Sequence, residues 1–217
     1  MLLKVEKLNI FRGYVHANVD ISFEVKEGEI VGIVGPNGAG KTTLLQGLMG
    51  LVPIHSGHIY YDNIEITNFP PHKIAKLGVG YVPEDRRLFG ELTVKENILL
   101  PCWGKKIALK EEELSFIDEV FPEVKKLYNK RSLYCSGGEQ MMIAVLRAIS
   151  SRPKLLLLDE CFEGLAPIAR RRLKEYLAKE KSNGLTAILT ESNINYLTWV
   201  DKLYYIERGR LTPMNIT

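Results

Sequence analysis

The stretch GPNGAGKTT at residues 35–43 lies between the apolar run EIVGIV and the segment LLQGLM, and it decides how this chain is expected to fold. Gly35, Gly40, Lys41 and Thr42 fit the pattern G-x-x-x-x-G-K-[ST], with a strand predicted before it and a helix after it. Backbone N–H groups of such a loop can surround phosphates, assisted by the positive end of the helix dipole. The stretch therefore predicts a phosphate-binding loop in an α/β protein, rather than a glycine-rich turn that arose by chance.

Two side chains of this loop have a chemical role of their own. Lys41 supplies a mobile positive charge for the β and γ phosphates of a nucleotide, and the Thr42 hydroxyl can bind Mg²⁺. We expect the whole loop to contact the nucleotide, namely Gly35, Pro36, Asn37, Gly38, Ala39, Gly40, Lys41, Thr42 and Thr43.

A pair of acids follows the apolar run LLLL at residues 155–158. Asp159 is placed to hold Mg²⁺ through its water shell, and Glu160 is placed to orient or polarise the water that attacks a phosphate. Two acids after four leucines can also be a solvated strand end. Together with the phosphate-binding loop, they favour a catalytic centre for nucleotide hydrolysis.

The segment CSGGEQ at residues 135–140, called the signature segment below, precedes the helical pattern MMIAVLRAIS. Ser136 and Glu139 have the spacing of a capping box, which predicts that a helix begins at Ser136. The free N–H groups of that helix start, with the bare backbone of Gly137 and Gly138, predict a second anion site. The alternative is an ordinary glycine-containing helix start.

The rest of the chain divides into three parts by its patterning. The first third alternates β-like runs with turns, and SGHIYYDNIEIT at residues 56–67 predicts a hairpin that turns at Asp62 and Asn63. Residues 88–150 read as a helical insertion, with a capping box in TVKENILL and a further helix in LKEEELSFIDEVF at residues 109–121. The last third predicts, in order, the strand LLLLDE, a basic helix over residues 169–181, the strand LTAILT and the terminal hairpin DKLYYIERGRL.

Composition excludes several classes of protein. The chain has 217 residues, enough for one compact unit with an insertion, and its net charge of +3 is well short of what a nucleic-acid-binding protein usually carries. No apolar run approaches the roughly 20 residues of a membrane span, and no signal peptide is visible. We therefore expect a cytoplasmic protein that reaches a membrane only through a partner, with its three cysteines reduced.

The order of these motifs resembles the ATP-binding cassette (ABC) ATPases, because SGGEQ followed by RPKLLLLDE is similar to the signature region of that family. The resemblance covers essentially the full chain and implies a P-loop NTPase (RecA-like) core with an antiparallel β subdomain and an inserted helical subdomain. One domain of residues 1–217 is implied, divided at 1–87, 88–150 and 151–217.

The resemblance also implies a head-to-tail dimer that binds ATP and Mg²⁺ between its two subunits. In such a dimer, the signature residues Ser136, Gly137, Gly138 and Glu139 contact the nucleotide held by the partner subunit's phosphate-binding loop.

A finer similarity is to the second, shorter ATPase of branched-chain amino acid importers. It is carried by GVGYVPEDRRLFGELTVKENILLP at residues 78–101, EGLAP at residues 163–167 and TESN at residues 190–193. Glu84 stands where most cassettes have a glutamine, so the resemblance gives Glu84 a part in catalysis and in metal binding. It implies a permease, a second ATPase subunit that is identical or different, and indirectly a substrate-binding protein. A transporter of urea, an amide or a lipid remains an alternative.

Two positions depart from the family pattern at the expected nucleotide site. Ser192 stands where most cassettes have a histidine that contacts the γ phosphate, and a neutral hydroxyl stabilises phosphate charge less well. We therefore expect slow hydrolysis at the site built on this chain's own loop. Arg12 stands where an aromatic ring usually covers adenine, so the Arg12 guanidinium plane, Phe11 or Tyr14 is a candidate for that contact.

Further departures have simpler interpretations. Cys135 and Cys161 replace a leucine and a proline beside the expected nucleotide, which raises the idea of a redox switch, but small apolar fillers are favoured. The run of arginines at residues 170–172 is typical of a solvated helix face, with contact to anionic lipid as the alternative. Two other functions compete with transport: a cassette that acts on ribosomes or DNA, and a small-molecule kinase that uses the same loop.

Overall fold

The computed structural model describes residues 1–104 and 114–215, which form two β-sheets flanked by helices. The fold is mixed α/β, with one antiparallel sheet and one largely parallel sheet, as the sequence predicts. Two hydrophobic cores lie on either side of the parallel sheet, because its strands bury side chains on both faces.

The antiparallel sheet has four strands in the order β2-β1-β4-β5. Its strands are β1 (Leu3–Arg12), β2 (Val15–Val25), β4 (Ser56–Tyr61) and β5 (Ile64–Glu65). The predicted hairpin is confirmed: Asp62 and Asn63 join β4 to β5 with φ of 50° and 62°. Both residue types tolerate this left-handed conformation, which a tight two-residue hairpin turn requires.

The second sheet has six strands in the order β10-β9-β3-β8-β7-β6. They are β3 (Ile30–Val34), β6 (Val79–Val82), β7 (Leu155–Asp159), β8 (Thr186–Glu191), β9 (Lys202–Glu207) and β10 (Arg210–Met214). All neighbours pair in parallel except β9 and β10, which form the predicted terminal hairpin. Strands β3, β7 and β8 end side by side, so the residues that follow them meet at one edge of the sheet.

Six α-helices lie in the described residues: α1 (Lys41–Leu48), α2 (Pro71–Lys76), α3 (Val94–Gly104), α4 (Ser115–Val120), α5 (Gly137–Ser150) and α6 (Pro167–Lys181). Three short 3-10 helices cover Pro122–Leu127, Ser132–Tyr134 and Ile194–Tyr196. No helix within residues 1–104 and 114–215 is both long and apolar enough to cross a bilayer.

The helix predictions are largely confirmed. The Thr93 hydroxyl accepts from the Glu96 N–H and the Glu96 carboxylate accepts from the Thr93 N–H, as a capping box requires. Helix α6 begins two residues earlier than predicted, at Pro167, whose fixed φ suits the first turn of a helix. Of the helix predicted over residues 109–121, Ser115–Val120 forms α4, and residues 109–113 lie outside the described residues.

Candidate nucleotide-binding site

The phosphate-binding loop connects the fully buried strand β3 to helix α1, and close backbone contacts require glycine at two of its positions. Gly40 has φ of 108°, and a Cβ there would lie 2.4 Å from the Ala17 carbonyl oxygen. A Cβ on Gly35 would lie 2.1 Å from the Ile206 carbonyl oxygen. Backbone atoms of neighbouring strands therefore pack directly against Gly35 and Gly40, and the absence of side chains there allows the loop to adopt a conformation that can hold an anion.

Lys41 is buried in this loop, with 4% of its surface exposed. Its Nζ donates to the carbonyl oxygens of Gly35 at 2.6 Å and Pro36 at 2.9 Å, which fixes the side chain along the inside of the loop. The same Nζ lies 3.0 Å from Glu160 Oε1. The loop thus holds a positive charge next to a carboxylate.

Asp159 ends strand β7 and is completely buried. The Thr190 hydroxyl donates to Asp159 Oδ1 at 2.7 Å, the Tyr81 hydroxyl approaches Oδ2 at 3.4 Å, and the Thr42 side chain also bonds to this carboxyl. Burial raises the pKa of Asp159, and these hydrogen bonds oppose that rise. The contact with Thr42 brings together the two oxygen donors that the sequence predicts for Mg²⁺.

Glu160 directly follows Asp159 and has a left-handed backbone, with φ of 48°. For a glutamate this conformation is sterically costly, and such strain is found where a side chain must be aimed at a site. The Ser192 hydroxyl lies 2.9 Å from Glu160 Oε1, 2.8 Å from Asn37 Oδ1 and 3.2 Å from Lys41 Nζ. The structure therefore brings Glu160, Ser192 and the phosphate-binding loop to one point.

Glu84 lies on the wall of the same cleft, on the loop after strand β6. Burial raises the pKa of its carboxyl, and the nearby charges of Glu160 and Asp159 raise it further. Glu84 and Glu160 both line the cleft, and the buried Asp159 lies near enough to affect Glu84, so negative charge is concentrated on this side of the site.

The cleft has a volume of about 660 Å³ and extends from the phosphate-binding loop to a second end that suits a nucleoside. Arg12, Val15, His16 and Arg208 line this second end. The Arg12 guanidinium contacts the Gln46 side-chain oxygen, which fixes its plane.

This geometry distinguishes among the three candidates for the contact with the adenine base. Phe11 does not line the cleft; its ring stacks on His16, with centroids 4.3 Å apart. Tyr14 also does not line it and projects fully into solvent. Of the three, Arg12 alone lines the nucleoside end, together with His16.

The signature segment caps helix α5 as predicted, since Ser136 Oγ accepts from the Glu139 N–H at 3.3 Å and Glu139 Oε2 accepts from the Ser136 N–H at 2.7 Å. Ser136 and Gly137 are exposed, and Gly138 and Glu139 are partly exposed. None of these four residues is among the described residues that line the nucleotide cleft. The structure therefore separates the signature segment from the phosphate-binding loop of the same chain.

Cys161, next to the acidic pair, and Cys135, in the signature segment, behave as apolar fillers. Cys161 is completely buried and Cys135 nearly so, and burial raises the pKa of both thiols. A raised thiol pKa disfavours the reactive thiolate, which is evidence against a redox switch. On helix α6, Arg172 pairs with Glu123 at 2.9 Å and Arg170 lies over the Tyr196 ring, so this basic run is partly engaged within the protein.

Sequence reasoning did not identify several partners of the predicted site residues. Thr190 holds Asp159, Gln46 holds Arg12, and Asn18 donates to the Gly40 carbonyl oxygen at 3.1 Å. Thr190 is within the segment TESN, two residues before Ser192, and this position near the end of a predicted strand was the available signal. Gln46 and Asn18 carry no such local signal, because only tertiary folding brings them to the loop.

Proteins named as ATP-binding subunits of transport systems match this chain along nearly its whole length. A sequence profile of the family described as "ABC transporter" matches residues 19–163. The high-affinity branched-chain amino acid transport ATP-binding protein BraG of Pseudomonas aeruginosa is 40% identical over 211 residues, which cover 97% of this chain and 91% of that protein. The lipopolysaccharide export system ATP-binding protein LptB of Escherichia coli is 32% identical over 217 residues, covering 96% and 90%.

A solved structure agrees with the fold across nearly the whole chain. It is a dimeric ATP-binding cassette in a post-hydrolysis state, bound to ADP and Pi. It matches with a TM-score of 0.87 and 26% identity, covering 99% of both chains.

Proposed function

The chain belongs to the ABC transporter family, and we propose that it is the ATP-binding and hydrolysing subunit of an importer for branched-chain or related amino acids. It is an ATPase of the kind whose hydrolysis of ATP is coupled to transport. The proposed substrate class is supported by the similarity to BraG, which extends along both proteins almost completely.

One observation carries the proposed chemistry: Glu160 Oε1 lies 3.0 Å from Lys41 Nζ, next to the buried Asp159. We infer that Lys41 binds the β and γ phosphates when ATP enters, which frees the Glu160 carboxylate to accept a proton from the attacking water. Ser192 would donate its hydroxyl hydrogen to the γ phosphate. A single neutral donor gives limited stabilisation, so hydrolysis at this site is expected to be slow.

The donor set of the site fits Mg²⁺. Thr42 and Asp159 are in contact and offer oxygen atoms, which this ion prefers, and Glu84 lines the same cleft as Thr42. Residues 1–104 and 114–215 contain no group of three or more His, Cys, Asp or Glu side chains that could hold a metal alone. We therefore propose that Thr42, Asp159 and Glu84 share the ion with the ATP phosphates. When bound, the ion supplies charge neutralisation for phosphoryl transfer.

A second subunit would complete the site. The signature segment lies outside the chain's own cleft and presents a capped helix start with Ser136 and Gly137 exposed, which suits the γ phosphate held by a partner subunit. We propose a head-to-tail dimer on this basis, formed with a second copy or with a different ATPase subunit. Each subunit's signature segment would then contact the other subunit's nucleotide.

An apolar groove of about 550 Å³ supports the proposed contact with a permease. Leu51, Phe89, Leu100 and Pro101 are among its lining residues, and the Phe89 ring is 55% exposed. The Phe89 backbone is held by the completely buried Asn97, which accepts from its N–H at 2.9 Å and donates to its carbonyl oxygen at 3.0 Å. We propose that the loop from Glu84 to Leu92 transmits conformational changes of the cleft to a permease docked in this groove.

We further propose that residues 1–217 form one cassette domain, divided at 1–87, 88–150 and 151–217. Docking to the permease would place this domain on the inner face of the cell membrane. A substrate-binding protein would act on the other side of that membrane, without contact to this chain.

The catalytic assignment is tested with Glu160→Gln, in the complex isolated from membranes with its partners. Removing the proton acceptor should abolish steady-state hydrolysis while ATP-dependent closure of the dimer persists, since the amide keeps the shape of the side chain. Closure is followed by cross-linking between the signature segment and the partner's loop. Undiminished hydrolysis, or no closure with ATP, would overturn the assignment.

The substrate is tested by transport in vesicles that contain the same complex. We expect ATP-dependent uptake of labelled leucine, isoleucine or valine, with permeases and a second cassette recovered alongside this chain. Extraction of lipopolysaccharide by the same complex, without amino acid uptake, would favour lipopolysaccharide export, the function given in the name of LptB.

A further inference from the structure

Glu191 is a buried acid that the proposed mechanism leaves without a role. It is the last residue of strand β8, next to Ser192, and only 1% of its surface is exposed. Its Oε1 accepts a hydrogen bond from the Phe162 N–H at 2.8 Å. Its Oε2 is buried and has no hydrogen-bond partner among the described residues.

The Phe162 N–H belongs to residues 159–162, called the acidic turn below, which carries Asp159 and Glu160. Strand β8 holds this turn at two points. The Glu160 N–H donates to the Thr190 carbonyl oxygen at 3.0 Å, and two residues later the Phe162 N–H donates to the Glu191 side chain. Between these bonds lies the left-handed backbone of Glu160. Because that conformation is strained for glutamate, it persists only where its surroundings impose it.

Glu191 also contacts the other half of the site. Its carbonyl oxygen accepts from the N–H of Gly35, the first residue of the phosphate-binding loop, at 3.3 Å. One residue therefore joins the start of the loop that holds Lys41 to the turn that holds Glu160. This connection adds to the strand pairing that already joins β3 and β7 to β8.

A carboxyl group at this buried position is energetically unfavourable in its charged form. Burial raises the pKa of Glu191 to about 8, and the negative charges of Glu160 and Glu163 add to the effect, so the group is mostly neutral at pH 7. An apolar side chain would avoid the buried, unpartnered Oε2. It would also leave the Phe162 N–H without an acceptor, since Phe162 is itself 3% exposed.

We propose that Glu191 is a positioning residue for Glu160: its side chain fixes the acidic turn, so that the Glu160 carboxylate stays in register with the phosphate-binding loop. This inference rests on the proposed role of Glu160 as proton acceptor. Glu191 itself touches neither ATP nor water in this scheme. Its loss would lower the rate of hydrolysis more than the affinity for nucleotide, because the loop and Lys41 remain in place.

The test compares two variants of similar size. Glu191→Gln keeps an oxygen that can accept from Phe162, whereas Glu191→Met fills the same space with no oxygen. In the complex isolated from membranes, we expect Glu191→Gln to keep kcat within about threefold of the unmodified complex. We expect Glu191→Met to lower kcat by about 10- to 100-fold, with KM for ATP and Kd for ADP changed by less than about threefold.

Controls separate positioning from simple destabilisation. Val5→Ala, in the core of the antiparallel sheet, should lower the melting temperature without lowering kcat at a temperature where the protein stays folded. If Glu191→Met does not fold, Glu191→Ser is measured in its place, because its hydroxyl is too short to reach Phe162.

Two results would overturn the proposal: unchanged kcat in the variant without the acceptor, or equal losses of kcat and nucleotide affinity. Glu160→Gln is measured in parallel. If that variant still hydrolyses ATP, the proposed function of Glu160 fails; if only the Glu191 variants behave as unmodified, the positioning role alone fails.

Discussion

The Ser192 hydroxyl lies 2.9 Å from the Glu160 carboxylate oxygen. Lys41 Nζ approaches both groups, at 3.2 Å and 3.0 Å. A serine at this place can give one hydrogen to one acceptor, so it cannot serve Glu160 and a phosphate oxygen at the same time. If Ser192 contacts the γ phosphate as proposed, its hydroxyl turns from the carboxylate toward the phosphate when ATP binds.

The first prediction concerns this hydroxyl. Ser192→Ala should lower kcat by about 10- to 100-fold, the effect expected on losing a hydrogen bond to a charged group. The affinity for ADP should hardly change, because ADP lacks the γ phosphate that Ser192 is proposed to contact. Steady-state hydrolysis and ADP titration measure the two effects. Thr198→Ala removes an exposed hydroxyl from the following segment and serves as the matched control. A wild-type kcat in Ser192→Ala would contradict the contact.

The second prediction concerns the nucleoside end of the cleft. Arg12→Ala should weaken ADP binding by about 2- to 30-fold, which corresponds to the loss of a guanidinium stacked on a base, about 0.5–2 kcal/mol. Binding of inorganic pyrophosphate should not change, because pyrophosphate has no base. Calorimetric titration with both ligands gives the comparison.

Phe11→Ala and Tyr14→Ala are the controls for Arg12, since neither residue lines the cleft. Both should bind ADP as the unmodified protein does. Weaker ADP binding in either of them, with normal binding in Arg12→Ala, would show that the base lies elsewhere.

Motifs made of neighbouring residues could be predicted from the sequence, but the contacts between residues far apart in the chain could not. The phosphate-binding loop, the Ser136 capping box and the Asp62–Asn63 turn each depend on residues a few positions apart, and the structure has all three. The bond from Glu191 to Phe162 joins residues 29 positions apart, and that from Arg12 to Gln46 joins residues 34 apart. Such contacts follow from strand order, which local patterns do not encode.

The residue that contacts the adenine base also could not be chosen from the sequence alone. The segment FRGY offered three candidates, because a sequence does not reveal which side of a strand end faces a cleft. In the structure, the Phe11 ring stacks on His16 and does not line the cleft, whereas Arg12 bonds to Gln46 and does line it. Neither partner is marked by its own sequence context.

The third prediction concerns the apolar groove. Phe89→Asp should reduce recovery of the permease with this chain by about tenfold or more, since an exposed aromatic ring at the centre of an interface often dominates binding. ADP affinity should be unchanged, because Asn97 still holds the backbone of residue 89. Ile64→Asp changes an exposed apolar residue of β5, outside the groove, and should leave recovery unchanged. Equal losses in both variants would argue against this groove as the docking surface.

The fourth prediction concerns stability and pH. Burial raises the pKa of Glu191 from the ordinary value of 4.5 to about 8. Between these two pH values, Glu191 keeps a proton in the folded protein that it has released in the unfolded chain. Its free energy of unfolding therefore falls as the pH rises from about 4.5 to about 8, on the order of a few kcal/mol for one group.

Glu191→Gln removes this titration, so its stability relative to the unmodified protein should increase steadily between pH 5 and pH 8. Urea unfolding without nucleotide and with a chelator measures the difference, because neither ATP nor a metal then shifts the charges nearby. Val5→Ala leaves Glu191 in place and should run parallel to the unmodified protein over the same range. A constant difference between Glu191→Gln and the unmodified protein would mean that Glu191 titrates near its ordinary pKa and is not held neutral at the end of β8.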